Sequence, residues 1–248
     1  MTFWEAALLA VGGLVAGVIN TNAGGGSLIT VPLLNLAGVP GTVANGSNRV
    51  GVLTQNLGAT VQFRRLGASG IRAALPVMIP TLAGALVGAM VISQVADDTF
   101  ERAFGLLMVP LLLLSLRQAT RTRPQDVPHS LWPWWLGAPL FFAVGLYGGA
   151  FQAGVGLLLL LALARTGYDL VMANSIKAVV ILAQTLIALP VFIVRDQVDW
   201  GPALVLAAGF GIGGALGARV AVRGGERVIR PIMVVAVLVL SGKMLGLY

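Results

Sequence analysis

The chain has 248 residues, of which 57% are hydrophobic and only 10% are charged, and its formal net charge is +7. A soluble domain carries about 25% charged residues, so this composition indicates an integral membrane protein whose main surroundings are a lipid bilayer. The arginines stand in short loops between apolar runs, which is the positive-inside pattern and gives no reason to expect nucleic acid as a partner. The chain contains no cysteine, which excludes disulfides, thiolate metal ligands and cysteine nucleophiles.

Ten apolar segments follow one another along the chain, and eight of them are long enough to cross about 30 Å of hydrocarbon as helices. Segments 27–38 and 154–166 are shorter, so we expect half-helices, re-entrant pieces or short buried spans there. The N-terminus lacks a basic region, and we expect a retained first helix rather than a signal peptide. The approximate bounds are 3–20, 27–38, 43–63, 71–94, 99–117, 132–150, 154–166, 172–194, 200–221 and 227–247.

The two halves of the chain are related by a constant offset of 129 positions, which indicates an internal repeat. Its pairs are Asn45 and Asn174, Gln55 and Gln184, Phe63 and Phe192, Gly84 and Gly213, and Gly88 and Gly217. The sequence predicts a first helical repeat over 1–118, a polar cytoplasmic linker over 119–131 and a second helical repeat over 132–248. Five segments in each half make the second repeat inverted relative to the first, with both chain termini outside the cell. The predicted fold class is therefore an all-α integral membrane protein with two inverted-topology helical repeats, each with a glycine-rich broken or short helix.

Two glycine-rich breaks interrupt the apolar runs and are the first candidate binding elements. Ser27 has N-cap chemistry and opens a short apolar segment. A polar break that leads into a helix N-terminus offers N–H groups and the positive end of the helix dipole to an anion. A simple kink is the alternative, because glycine is common in membrane helices. The candidate residues are Asn20, Thr21, Gly24, Gly25, Gly26 and Ser27 in the first break, and Tyr147, Gly148, Gly149, Gln152, Gly154 and Gly156 in the second.

Two cations, Arg49 and Lys177, lie inside apolar segments, and buried membrane cations usually mark a substrate pathway. In inverted repeats the two segments enter from opposite faces and can converge on one site. Snorkelling of both side chains to the surface is the alternative. Gln55 and Gln184 lie further along the same segments and favour a functional role. The neighbouring polar candidates, which can also be caps or interhelical glue, are Asn45, Ser47, Asn48, Asn174 and Ser175.

The nine carboxylates all fall in loops or at segment ends, so the sequence predicts no metal site and no cofactor, and favours a small anionic substrate. His129 is the one histidine and lies in the linker, and no phosphate-binding loop is present, so we expect no enzyme activity and no catalytic residues. The sequence leaves open a transporter of another small solute or a metal cation, or a membrane scaffold that transports nothing. Gly84-x-x-x-Gly88 and Gly213-x-x-x-Gly217 are typical of close helix packing, and a homodimer is possible.

The stretches Asn20–Leu34 and Val43–Val50 resemble the sulfite exporter TauE/SafE family of membrane permeases, and Gly145–Gly149 and Ala173–Lys177 are similar to the repeat of that family. The resemblance implies a bacterial or archaeal inner-membrane protein that exports sulfite or small organosulfonates. Gln152 and Ala153 depart from the glycine or small residue that the resemblance leads us to expect. The family's motif segments correspond here to Gly24–Thr30, Asn45–Arg49, Gly148–Gly156 and Asn174–Lys177. We therefore expect alternating access, with an oxyanion bound by backbone N–H groups and bidentately by Arg49.

Overall fold

A computed structural model describes residues 1–118, 133–163 and 166–223 of the chain. Within these ranges the regular structure is entirely helical, which confirms the predicted all-α class. The linker 119–131 and the predicted tenth segment, 227–247, lie outside the described residues. The helices are α1 (Phe3–Ala23), α2 (Ser27–Leu36), α3 (Gly41–Arg65), α4 (Ile71–Ile92), α5 (Asp97–Gln118), α6 (Trp134–Phe151), α7 (Val155–Leu163), α8 (Leu170–Val194) and α9 (Trp200–Val222).

Five of the described helices, α1, α4, α6, α8 and α9, are long and apolar enough to cross a membrane. The sequence also predicted spans at α3 and α5, and both form helices of more than 20 residues. α3 is less apolar than these five because it carries a buried row of polar side chains. A helix whose polar face is buried in protein needs less overall apolarity than one surrounded by lipid.

The outward faces of the helices are apolar, as a lipid-facing surface requires. Ile79 is 82% exposed, Val194 84% and Trp4 79%. In water this much exposed apolar surface is unusual for a monomeric protein, whereas hydrocarbon solvates it without cost.

The two short helices α2 and α7 have 10 and 9 residues, so each is only about 15 Å long. Both follow a longer helix that stops abruptly. α1 ends at Gly24, which has a left-handed φ of 76°, and α6 ends at Gln152, which has φ 60°. The predicted broken helices are therefore present in both halves.

Each half is packed mainly against helices of the other half. α1 lies along α9, and α6 lies along α4. A Cβ atom added to Gly213 would stand 2.2 Å from the carbonyl oxygen of Leu14, and one added to Gly84 would stand 2.1 Å from that of Phe142. These distances confirm the predicted packing role of the two glycine motifs, because glycine is what lets the backbones approach so closely.

The described helices are consistent with two inverted repeats. The order long, short, long, long occurs in α1–α4 and again in α6–α9. The contacts repeat as well, since the first helix of each half packs on the fourth helix of the other half. This exchange brings the two broken helices to the centre of the molecule.

Candidate functional site

The two glycine-rich breaks touch each other through their backbones. A Cβ atom on Gly24 would lie 2.5 Å from the carbonyl carbon of Gly156, and one on Gly156 would lie 2.7 Å from the Cα of Gly24. Any larger residue at either position would separate the breaks. Gly154, with φ 72°, is in the left-handed region that favours glycine. A Cβ atom at Gly154 would stand 2.9 Å from the side chain of Leu111.

The first break is held by a closed set of side-chain hydrogen bonds. Asn20 Oδ1 accepts from the N–H of Gly26 at 3.1 Å, and Asn20 Nδ2 donates to Gln55 Oε1 at 2.8 Å. Gln55 Nε2 in turn donates to Thr21 Oγ1 at 2.7 Å. Gly25 is buried, and its carbonyl accepts the N–H of Leu28 in the first turn of α2. The break is therefore a defined structure and not a simple kink.

Ser27 does not cap α2, contrary to the sequence-based prediction. The helix begins at Ser27 itself, and Gly26 occupies the N-cap position without a side-chain bond. The Ser27 hydroxyl instead accepts from Asn48 Nδ2 at 3.1 Å, and Asn48 Oδ1 accepts from Thr30 Oγ1 at 2.5 Å. The reason is tertiary: Asn48 on α3 presents an amide donor to Ser27, so the serine joins two helices.

Lys177 on α8 binds the end of α1. Its side chain is 1% exposed, and Nζ donates to the carbonyl oxygens of Asn20 at 3.0 Å and Thr21 at 2.7 Å, and to Asn174 Oδ1 at 2.7 Å. The carbonyls of a final helical turn carry the negative end of the helix dipole. A cation from the second half therefore caps the broken helix of the first half.

Arg49 on α3 binds the end of α6, as Lys177 binds the end of α1. It is fully buried, and its guanidinium carbon lies 4.4 Å from the ring centre of Phe192. The two Nη groups donate to four oxygens at the end of α6, namely Gln152 Oε1 at 2.9 Å and the carbonyls of Gly148, Gly149 and Ala150. A bidentate contact with an anion therefore requires Arg49 to exchange some of these bonds.

Arg49 and Lys177 thus have equivalent partners, one in each half. The offset of 129 pairs Lys177 with Asn48, whereas their contacts pair Lys177 with Arg49, which is 128 positions earlier. The helix ends Gly24 and Gln152 are also 128 positions apart. Neither head group extends to the surface, which argues against the snorkelling alternative.

The remaining polar candidates are divided between the breaks and the loops. Asn45 Nδ2 donates to the carbonyl of Ala150 at 2.8 Å, and the Tyr147 hydroxyl donates to that of Ala153 at 2.7 Å, so both residues support the second break. The two serines lie further away and hold loops. Ser175 Oγ accepts from the N–H of Gly70 at 2.8 Å, and Ser47 Oγ accepts from that of Asp199 at 2.8 Å.

The buried charged side chains around the breaks are cations in the part of the chain that the structure describes. Arg49 and Lys177 are the buried charged side chains of the described ranges, and every carboxylate in those ranges is exposed or half-buried. Nor do the described residues hold a cluster of three or more histidine, cysteine or acidic side chains that could bind a metal. The buried charged side chains of the described ranges are therefore both cations, and none of them is a carboxylate.

Sequence reasoning missed Thr30 and Phe192 as parts of this arrangement and used Gln55 and Gln184 only as supporting features. The repeat offset was a signal for Gln55, Gln184 and Phe192, because it pairs Gln55 with Gln184 and Phe63 with Phe192. Thr30 gave no such signal, since its bond to Asn48 depends on how α2 packs on α3.

Comparison with known proteins is consistent with this architecture. The family model described as "Sulfite exporter TauE/SafE" matches residues 9–244. A probable membrane transporter protein of Haemophilus influenzae is 28% identical over 96% of this chain and 93% of its own length. Probable membrane transporter protein ORF9 of a Sinorhizobium species is 26% identical over 99% of this chain and 94% of its own length. Probable membrane transporter protein YfcA of Escherichia coli K12 is 26% identical over 94% of this chain and 86% of its own length. No solved structure matches.

The apolar helices and these relatives define a multi-pass membrane protein of a transporter class. Because the family model covers nearly the whole sequence, the chain belongs to the sulfite exporter TauE/SafE family.

Proposed function

We propose that this protein is a secondary transporter that exports small sulfur oxyanions, sulfite or an organosulfonate, across the inner membrane of a bacterium or archaeon. The observation that carries the proposal is the pair of buried cations at the crossing of the two breaks, without a buried carboxylate among the described residues. Buried cations inside a membrane protein usually mark a substrate pathway. Two cations near one site attract a bound anion and repel a metal cation.

The positions of the cations also suit transport by alternating access. Each cation belongs to one half and binds the broken helix of the other half, so an anion that draws Arg49 or Lys177 from its carbonyls also weakens the contact between the halves. Substrate binding near the crossing of broken helices is typical of inverted-repeat transporters. The description of the family as sulfite exporters favours sulfur oxyanions over other anions. We expect transport without catalysis and without a cofactor.

The test is efflux of radiolabelled sulfite from proteoliposomes. We expect saturable efflux that is accelerated by an inside-negative potential, because 100 mV contributes about 2.3 kcal/mol per charge moved. Taurine should compete with sulfite, and nickel should not. Saturable nickel flux would instead favour the metal-cation alternative, and no flux of any solute would favour the scaffold.

A matched pair of charge variants completes this test. Lys177→Met should lower sulfite efflux at least about tenfold, since it removes a buried charge that the anion needs. Arg219→Met removes an exposed charge at the end of α9 and should retain wild-type efflux. Size-exclusion chromatography in detergent checks that both variants are folded. Equal efflux from folded Lys177→Met and wild type would contradict the role of the buried cations.

A further inference from the structure

Gln184 on α8 is a buried amide that makes no hydrogen bond to the described part of the chain. Its side chain is 1% exposed, and neither Oε1 nor Nε2 has a partner among the residues that the structure describes. Buried polar groups are nearly always hydrogen-bonded, because leaving one unpaired is costly. Such an amide in the interior of a transporter therefore indicates a ligand.

The first half of the chain contains the same glutamine with its partners present. Gln55, the repeat counterpart of Gln184, accepts from Asn20 and donates to Thr21 at distances of 2.8 and 2.7 Å. The helix ends give the matching positions in the second half: Gly24 N–H donates to Asn20 O, and Gln152 N–H donates to Gly148 O. Asn20 and Thr21 therefore correspond to Gly148 and Gly149. The second half retains the glutamine and lacks both side chains that would bind it.

The unpaired amide lies beside the second break. A Cβ atom at Gly148 would stand 3.3 Å from both Nε2 and Oε1 of Gln184. The carbonyl of the same Gly148 accepts from Arg49 Nη1 at 3.4 Å, and Arg49 Nε is a further buried donor without a partner within the described ranges. The two unpaired amide atoms of Gln184 thus lie beside a glycine whose carbonyl binds the cation Arg49.

We infer that the Gln184 carboxamide is a substrate-binding group of the second half, and that it donates from Nε2 to an oxygen of a small oxyanion beside Arg49. The substrate oxygen takes the acceptor role that Thr21 Oγ1 has in the first half. The two half-sites are therefore unequal: the first is closed by its own side chains, and the second is completed by the solute. This inference rests on the proposed export of sulfur oxyanions and names the subsite that binds them.

The experiment compares Gln184→Met with the matched variant Gln55→Met, since methionine has nearly the length of glutamine without its polar atoms. Gln184→Met should raise the KM for sulfite efflux about tenfold or more, which is the effect of losing one hydrogen bond of about 1.4 kcal/mol. Its unfolding temperature in detergent should equal or exceed that of wild type, because the substitution removes no hydrogen bond to the described residues. Gln55→Met should lower the unfolding temperature, because Asn20 and Thr21 lose their partner.

A second variant guards against poor expression of the first. Gln184→Glu keeps the shape of the side chain and places a carboxylate against the incoming anion, so sulfite efflux should be lost. An unchanged KM in Gln184→Met or Gln184→Glu would overturn the inference. So would a fall in unfolding temperature as large as that of Gln55→Met, since it would mean that the amide has a structural partner.

The outcome for the wild type separates this inference from the proposed function. Wild-type sulfite efflux with an unchanged Gln184→Met would refute the subsite alone. Absence of sulfite efflux from the wild type would refute the proposed function, and the subsite inference with it.

Discussion

Gln152 has a backbone conformation that residues with a side chain rarely adopt, with φ 60° and ψ −37° at the end of α6. The corresponding end of α1 uses Gly24, for which such a φ carries no steric cost. The glutamine provides something that glycine cannot, because its Oε1 accepts from Arg49 Nη1. Backbone strain of this kind is typical of functional sites.

Two substitutions at Gln152 separate the strain from the side-chain bond. Gln152→Gly and Gln152→Ala both lose the bond to Arg49, but only glycine accepts the backbone angles freely. The glycine variant should therefore be more stable than the alanine variant by about 1 kcal/mol, measured by thermal unfolding in detergent.

The control for this comparison is Gln94, an exposed residue just after α4 that has no positive φ. The same pair of substitutions there should give glycine no advantage. An alanine variant of Gln152 at least as stable as its glycine variant would show that the angle is unstrained.

The sequence predicts the two buried cations, but it does not predict their partners. Arg49 and Lys177 stand out because apolar runs seldom contain charge. Their hydrogen bonds to the carbonyls of the opposite half depend on the crossing of the breaks, and a carbonyl oxygen leaves no signal in a sequence. For this reason the sequence could not show that the Arg49 guanidinium binds the end of α6. That role competes with the bidentate anion contact expected for Arg49.

At the scale of elements, the apolar runs predict the helices well. The short segments predicted at 27–38 and 154–166 are the helices Ser27–Leu36 and Val155–Leu163, and the long segments within the described ranges are similarly close to their predicted bounds. The reason is physical, since a helix in lipid must satisfy its own backbone and be apolar over its length. The N-cap of α2 was assigned to the wrong residue, because Ser27 bonds to Asn48 on α3 and Gly26 occupies the cap position.

The crossing of α1 and α9 should fail when a methyl group is added to Gly213. The new Cβ would stand 2.2 Å from the backbone oxygen of Leu14, so the helices must move apart. We expect Gly213→Ala to lower the stability by roughly 1–3 kcal/mol, as overpacking generally does. Thermal unfolding of the purified variant in detergent measures this effect.

Gly201→Ala is the control on the same helix, since the nearest atom to its new Cβ would be Asp199 Oδ1 at 3.7 Å. It should leave the unfolding temperature unchanged or slightly higher, because alanine is the better helix former. A Gly213→Ala variant as stable as Gly201→Ala would mean that α1 and α9 are free to separate. By the repeat relationship, Gly84→Ala should behave like Gly213→Ala.

At the scale of the whole molecule, the described helices of each half pack mainly on helices of the other half. The main packing partner of α1 is α9, and the main packing partner of α4 is α6. The repeat was visible in the sequence as a constant offset, but this exchange was not, because an offset relates positions in the two halves and does not say which of them touch.

Expressing the halves separately tests this exchange. Residues 1–118 alone and 132–248 alone should each be degraded by protease in native membranes, since their glycine-lined helix faces have no partner. Co-expression of the two pieces should restore a protease-resistant complex that copurifies, with the uncut chain as the reference. A resistant first half on its own would contradict the dependence on α9.

The exchange also has a consequence for biosynthesis. Asn22 in α1 donates to the carbonyl of Gly217 in α9, 195 residues later in the chain. At about 5–20 residues per second, a ribosome needs about 10–40 s to supply that partner. During this interval α1 is in the bilayer without α9, and Asn22 can donate only to the carbonyl of Val18 in its own helix. The nascent protein therefore depends on the insertion machinery to shelter its first helix until its last described helix has been made.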